Sequence, residues 1–285
     1  MCLLFFQLIK PKSVNSFKLI LISVRDEYMN RPATSASCWS DNQIIGAQDM
    51  EPGREGGTWL AINPITGKLG ILLNILTVKS DINPNALGRG KIVTEFINCH
   101  DTGNYLKSLV DCSSNYNGFT LVAIDLKSDP SVAYVNNYNQ PSVVNLNPGI
   151  HGFGNARNPL EPWRKVNYGL DKFRDIVTEI KSTDRKQELI DRLFHMVSDD
   201  TKLPDDERLR RQAYDWPDKY LKQLNSLFVE IPNKEYGSRT WSIILVDGQG
   251  NGDFIERTRV PPIQFSENQI KSDWKETRLS FQLSS

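Results

Sequence analysis

An α+β fold with its sheets covered by helices is predicted by the order of patterns along this 285-residue chain. Short strand-like runs fill the first 150 residues, two charged stretches of helical period occupy the middle, and strand signals return after residue 226. No internal repeat or low-complexity linker separates these parts, so a single domain over residues 1–285 is expected.

The chain opens on two apolar runs, residues 3–9 and 17–24, joined by a polar turn over residues 11–16. This is the pattern of an antiparallel hairpin. Near-continuous apolar character fits adjacent central strands covered on both faces. Residues 43–47 and 58–63 have strand composition, and Pro64-Ile65-Thr66-Gly67-Lys68 is a turn into a partner strand over residues 69–78. Gly88-Arg89-Gly90 opens a helix over residues 91–98 with Ile92, Val93 and Phe96 on one face, and a shorter helix follows over 105–110. A further hairpin joins 117–126 to 131–135 across Lys127-Ser128-Asp129-Pro130. Helical spacing with heavy charge marks 162–182 and 185–197; residues 204–215 read as a solvated loop or fraying helix, and 220–224 as a helix end. Strands are expected at 227–231, 239–246, 254–258 and 278–283.

Lys plus Arg (34) equals Asp plus Glu (34), so bulk charge gives no attraction to nucleic acid or to an anionic membrane. No apolar stretch reaches the roughly 20 residues of a transmembrane helix. Cys2, Cys38, Cys99 and Cys112 form no CxxC pair and have no metal-ligand spacing, and without a secretory signal four reduced thiols are expected. With only His100, His151 and His195, a histidine metal cluster is disfavoured and a Ser/His/Asp triad has few candidates; His195 reads as an ordinary helix residue. Residues 53–59 are glycine-rich but lack the lysine of a phosphate-cradling loop. Gly88-Arg89-Gly90 reads either as a helix cap with a solvated arginine or as a holder of a carboxylate or phosphate.

Cys2 is the residue richest in chemistry. Removal of Met1 would leave one residue with both a thiol and an α-amine, and an α-amine titrates near ~8, low enough to take a proton from a neighbouring nucleophile. The hairpin returns the end of its second strand to the start of its first, which sets Arg25 and Asp26 beside the thiol. Cys2 also reads as a small buried hydrophobe, and the residues alone leave both readings open. A signal peptide fits poorly: there is no basic leader, Gln7 interrupts the run, and Lys10-Pro11-Lys12 follows without a small-residue cleavage site.

Val24-Arg25-Asp26-Glu27 with Asn30-Arg31-Pro32 resembles the motif of the NRDE proteins, also called the transport and Golgi organisation protein 2 family. The resemblance continues through the stretch from Met50 to Leu60, Gly88-Arg89-Gly90, Tyr116-Asn117-Gly118-Phe119, Pro162-Trp163-Arg164-Lys165 and Tyr236-Gly237-Ser238-Arg239-Thr240. It implies a four-layer αββα sandwich of the N-terminal nucleophile hydrolase type. Carried over by position, Cys2 is the nucleophile, Arg25 and Asp26 end the second strand, and Asn74 and Asn155 flank the scissile group. Arg239 resembles the arginine of a late central strand. In that chemistry the α-amine takes the thiol proton, Arg25 favours the thiolate, Asp26 orients the ammonium, and Asn74 receives the oxyanion.

Three positions depart from the family pattern. Val24 replaces the first Asn of the motif, Ile75 follows Asn74, and Trp241 follows Arg239-Thr240. Each sets an apolar group near the expected pocket, which predicts an apolar cleft where a thiolate is costly. The resulting expectation is a pocket that binds an amphipathic ligand with an anionic end, an acyl lipid or haem, and reacts slowly. Arg239 is the expected anchor of that end. No cofactor is required; haem enters as a carried ligand, although Cys99-His100, the only adjacent pair of ligand types, reads as a helix end. The alternative is a cysteine-dependent acyl hydrolase acting on an amide, ester or thioester through Cys2. The resemblance further implies a role in haem mobilisation, lipid homeostasis or Golgi organisation and secretion. It implies a cytoplasmic location associated with mitochondria or Golgi.

Overall fold

A computed structural model describes residues 1–11, 13–39, 43–127 and 129–284. Lys12 and Ser128, which the sequence places in two hairpin turns, lie outside these residues. The first half runs β1 (Cys2–Leu8), β2 (Phe17–Tyr28), β3 (Ser37–Cys38), β4 (Ile45–Gly46), β5 (Leu60–Asn63) and β6 (Lys68–Asn74). Then come α1 (Gly90–Asn98), α2 (Thr102–Asp111), β7 (Phe119–Asp125), β8 (Ser131–Asn136), β9 (Ser142–Leu146) and β10 (Gly149–Phe153). Four helices follow, α3 (Arg164–Glu179), α4 (Lys186–Val197), α5 (Glu207–Gln212) and α6 (Asp218–Leu224). The chain closes with β11 (Glu230–Ile231), β12 (Tyr236–Asp247), β13 (Asn251–Phe265) and β14 (Ile270–Gln282).

Two seven-stranded sheets result. One has the order β10-β1-β2-β12-β13-β14 with β11 attached to β12, and the other runs β3 to β9 in sequence order. The expected opening hairpin is present as two adjacent inner strands, with Cys2 opposite Arg25 and Leu8 opposite Leu19. Both of its faces are covered, which is why the sequence there is apolar at successive positions rather than alternate ones.

Side-chain alternation sorts the core into layers. Leu3 and Phe5 of β1 and Ile20, Ile22 and Val24 of β2 face α3 and α4, against Phe173, Val177 and Leu193. Leu4, Phe6, Leu19 and Leu21 face the second sheet, against Ile62, Ile71 and Val122. The far face of the second sheet packs Ala61, Leu121 and Val135 on Ile92, Val93, Phe96 and Leu106 of α1 and α2. The layers are therefore helix, sheet, sheet, helix, the αββα sandwich that the resemblance implied. A fourth cluster, with Trp163, Leu209, Leu221 and Leu224, sits where the chain starts, and Met1 packs against it.

In the stretch 204–215, which the sequence reads as a solvated loop or fraying helix, Glu207–Gln212 form α5 and most side chains are exposed, but Asp206, Leu209, Gln212 and Ala213 are buried. The Asp206 carboxylate accepts from the N–H groups of Arg208 (2.9 Å) and Leu209 (3.2 Å), which caps α5. The sequence reading has no strand at β9 or β10; both lie at a sheet edge among Asn, Gly and Pro residues that weaken the strand pattern. β13 and β14 outrun the expected 254–258 and 278–283, because beyond Thr258 they pair only with each other as an extended ribbon.

Candidate functional site

A cavity of about 750 Å³ opens where β1 begins and β2 and β6 end. Cys2, Arg25, Asp26 and Asn74 border it, although 72 residues separate the first from the last. Asn155 lies just beneath, buried, and joins the two sheets. Its Oδ1 accepts from the Cys2 N–H at 2.7 Å, and its Nδ2 donates to the Asn74 carbonyl at 2.5 Å. One side chain thus ties the start of β1 to the end of β6.

With Met1 in place the nitrogen of Cys2 is an amide that donates to Asn155, so it offers no basic lone pair. The charged amine belongs to Met1 and donates to the Asp26 carbonyl at 2.8 Å, while the Asp26 N–H returns a bond to the Met1 carbonyl at 2.5 Å. Burial pushes the Cys2 thiol up, and the N-terminal charge and Arg25 pull it partly back against Asp26 and Glu27. The thiol is held protonated in this arrangement.

Arg25 and Asp26 are neighbours on one strand and so point to opposite faces. Arg25 shares the inter-sheet face with Cys2; its guanidinium stacks 4.1 Å from the centre of the Trp59 ring, and Nη2 lies 3.6 Å from Glu27. Asp26 belongs to the helix-facing register of Ile22 and Val24, and its Oδ1 accepts from the Ser238 hydroxyl at 2.7 Å. On that side Lys165, in the first turn of α3, is fully buried with its ammonium on the Ser226 carbonyl at 3.3 Å. Burial lowers the Lys165 pKa, and the charges of Asp26 and Cys2 oppose that shift.

The outer wall of the cavity is mixed. Trp59, Leu72, Leu87 and Tyr116 supply apolar surface, and Arg31, Arg54, Arg89 and Lys91 supply positive charge. Arg31 is paired with Asp49 at 2.6 Å and lies 3.7 Å from Glu27. Arg54 and Arg89 have no carboxylate partner among the described residues; they rest on the carbonyls of Ala86 (3.4 Å) and Gly118 (2.7 Å). Burial lowers the Arg89 pKa to about 10, helped by repulsion from Arg31 and Arg54. The two wall loops cross backbone to backbone at Gly57 and Gly90: a Cβ on Gly57 would come within 2.9 Å of the Gly90 Cα. That crossing explains why both loops carry glycine there.

Residues 1–261 match the sequence profile of Transport and Golgi organisation 2. The chain belongs to that family. It is 37% identical over 264 residues to a Transport and Golgi organization protein 2 homolog of Bos taurus, covering 90% of this chain and 93% of that protein. A Mus musculus homolog is 35% identical over the same length and coverage. Among solved structures the chain resembles Anbu from Hyphomicrobium sp. strain MC1, at 8% identity and a TM-score of 0.35 over 87% of this chain and 82% of that chain, a likeness too slight to bear on the site.

Of the six positions carried over from the Transport and Golgi organisation 2 family, Cys2, Arg25, Asn74 and Asn155 gather at the cavity. Asp26 borders it along the strand, with its carboxylate turned to the helix layer. Arg239 stands apart from the cavity walls. It is the extra residue of a bulge, where the β12–β2 register slips between Ser238 and Thr240. The bulge aims its guanidinium at the carbonyls of Tyr28 and Arg31, clamping the loop after β2. Burial and the nearby charge of Arg25 lower the Arg239 pKa to about 10.

The expected apolar cleft is corrected. Val24 faces the helix layer, and Trp241 does so as well, stacked 4.2 Å from Trp274 and touching Phe194 and Phe228. Ile75 packs on Gly118, where an added Cβ would lie 2.9 Å away. None of the three borders the cavity. Sequence reasoning assigned no site role to Trp59, Arg54 or Lys165; a lysine within the buried stripe of Val166, Gly169 and Phe173 is the one signal that marks Lys165. None of the three histidines lines the cavity, and no group of three or more His, Cys, Asp or Glu is placed to hold a metal ion among the described residues. No helix among those residues is long and apolar enough to cross a membrane.

Proposed function

We propose that the protein binds an amphipathic ligand, an acyl lipid or haem, with its anionic end at Arg54 and Arg89 and its apolar part against Trp59, Leu72 and Leu87. The observation that carries this reading is the pair of arginines without carboxylate partners in a cavity of about 750 Å³, a volume in the range of small-molecule sites. Arg25 and Arg31 already face Glu27 and Asp49, whereas Glu55 and Glu95, which also line the cavity, form no ion pair with Arg54 or Arg89 among the described residues. An anion there relieves the mutual repulsion that presses on Arg89. In this proposal Arg25, Asp26, Asn74 and Asn155 hold the floor of the site around Cys2, and Arg239 shapes its rim loop. A protonated, half-buried thiol and an amide nitrogen on Cys2 favour binding over acyl transfer. Haem mobilisation, lipid homeostasis and Golgi organisation or secretion, in a cytoplasm in contact with mitochondria or Golgi, are the roles that such a carrier would serve.

Equilibrium titration with palmitate, palmitate methyl ester and haem tests this. Arg54→Gln with Arg89→Gln should weaken palmitate or haem at least about tenfold, near 1.4 kcal/mol, and leave the methyl ester unchanged. Cys2→Ala should keep binding within about twofold. Equal binding by wild type and the double variant refutes the arginine anchor. Rapid acylation of Cys2 by a simple thioester restores the hydrolase.

A further inference from the structure

The inter-sheet face of the first sheet changes character toward the cavity. Deep in the sandwich it is apolar, with Leu19 and Leu21 of β2, Ile244 and Val246 of β12, and Phe254 of β13. Toward the Cys2 end the same face carries Ser23 and Arg25, then Thr240 and Ser242, then Glu256 and Thr258. The register sets Ser23, Ser242 and Glu256 abreast in one row and Arg25, Thr240 and Thr258 abreast in the next. A polar strip therefore runs from the cavity across three strands and ends at a buried carboxyl.

Two atoms on this strip lack partners. Glu256, 1% exposed, accepts from the Ala36 N–H at 2.7 Å through Oε1, and its buried Oε2 has no hydrogen bond among the described residues. Arg25, 5% exposed, is in the same state at Nη1, while its Nη2 faces Glu27 at 3.6 Å. A buried polar atom left unpaired is destabilising, so each of the two orphans favours an approach of the other. Arg25 is also the only charged group, among the described residues, whose field acts on Glu256; Ser242 from β12 and the Ala36 N–H are its neutral neighbours.

We propose that Glu256 is a positioning residue for Arg25, drawing the guanidinium toward β13 when ionised and leaving it to Cys2 and Glu27 when protonated. Reactivity of the thiol is then set from two strands away by one carboxyl. Burial pushes Glu256 up to about 7, which brings its ionisation into the physiological range, and Arg25 in turn lowers the Cys2 thiol. The inference is independent of the ligand reading, because it concerns only the thiol.

The test is the rate of Cys2 alkylation by iodoacetamide against pH, in full-length protein with Cys38, Cys99 and Cys112 changed to Ser. As pH rises through about 7, ionised Glu256 withdraws Arg25 from the thiol, so the logarithm of the rate should climb with a slope below one. Glu256→Gln keeps an acceptor for Ala36 and should restore unit slope, reacting about threefold faster or more at pH 8. Superimposable profiles overturn the proposal. Carbon-13 titration of glutamate carboxyls in wild-type protein gives a second measurement that needs no variant at Glu256. One glutamate should titrate near pH 7, with a higher midpoint after Cys2 is carboxymethylated by iodoacetate than after neutral carbamidomethylation, because the added carboxylate competes for Arg25. Absence of such a glutamate, or equal midpoints, overturns the proposal as well.

Discussion

Replacing Asn155 should loosen the two sheets at the cavity, where its side chain bridges them. Asn155→Ala removes the acceptor of the Cys2 N–H and the donor to the Asn74 carbonyl, bonds of 2.7 and 2.5 Å. A buried polar group stripped of its partner costs about 1–3 kcal/mol. Asn155 is 1% exposed, so the Cys2 N–H loses its partner where water is scarce and the penalty there is near full. Asn74 is exposed, and its carbonyl can turn to solvent, which keeps its share small. The expected total is about 2–4 kcal/mol. Asn155→Asp retains the acceptor but sets a carboxylate against the Asn74 carbonyl, so it should not restore stability. Urea unfolding followed by tryptophan fluorescence, with coincident far-ultraviolet circular dichroism as the two-state check, gives the difference. A loss below about 1 kcal/mol for Asn155→Ala would show that the bridge contributes little and that backbone pairing alone holds β1 at the cavity.

Two further outcomes follow from the packing and the buried carboxyl. Trp241→Ala should cost about 3–5 kcal/mol in urea unfolding, because the ring is 6% exposed and stacked among Trp274, Phe194 and Phe228, yet palmitate and haem binding should be unchanged; a change in affinity at retained stability would return Trp241 to the site. Glu256, raised from 4.5 to about 7 when folded, holds its proton longer in the native chain, so its contribution is present below about pH 4.5, falls as pH rises to about 7, and is flat above that. The difference in unfolding free energy between wild type and Glu256→Gln should accordingly shrink by roughly 3 kcal/mol between pH 4.5 and 7.5, and a pH-independent difference refutes the raised value.

The opening hairpin was legible because β1 and β2 are covered on both faces, and the pairing of Cys2 with Arg25 followed from the hairpin alone. The four layers were not visible in periodicity and came from family resemblance, since alternation within a strand does not say which sheet it joins. Trp241 and Arg239 show the limit most clearly. A one-residue slip in the β12–β2 register decides that Arg239 leaves the ladder and that Trp241 points to the helices, and no local sequence signal marks a bulge at Ser238-Arg239-Thr240. Trp59 and Arg89 reach the cavity through the crossing of loops at Gly57 and Gly90, a contact between segments more than thirty residues apart. Glycine pairs in two separate loops hint at a close approach but do not name the partner.

Strand geometry also splits the motif that first drew attention to the site. Arg25 and Asp26 read in sequence as a cation and a carboxylate offered together to one thiol. On a pleated strand they cannot share a face. Arg25 lies with Cys2, Trp59 and the cavity, whereas Asp26 is held by Ser238 with Lys165 on its helix side. The carboxylate therefore acts on Cys2 from behind the strand through the field it exerts, while the Asp26 backbone N–H and carbonyl pair with Met1. Those two bonds hold the first residue in register, and the Met1–Cys2 peptide bond keeps the Cys2 nitrogen an amide. Loss of Met1 would break both and move the ammonium one residue closer to the thiol, with Asn155 Oδ1 already positioned as its acceptor. A cation brought nearer lowers the thiol pKa, so the same side chains that surround a protonated thiol while Met1 is present would favour a thiolate once it is gone. The protonation state of Cys2 is thus set by the peptide bond before it, within one unchanged set of surrounding side chains.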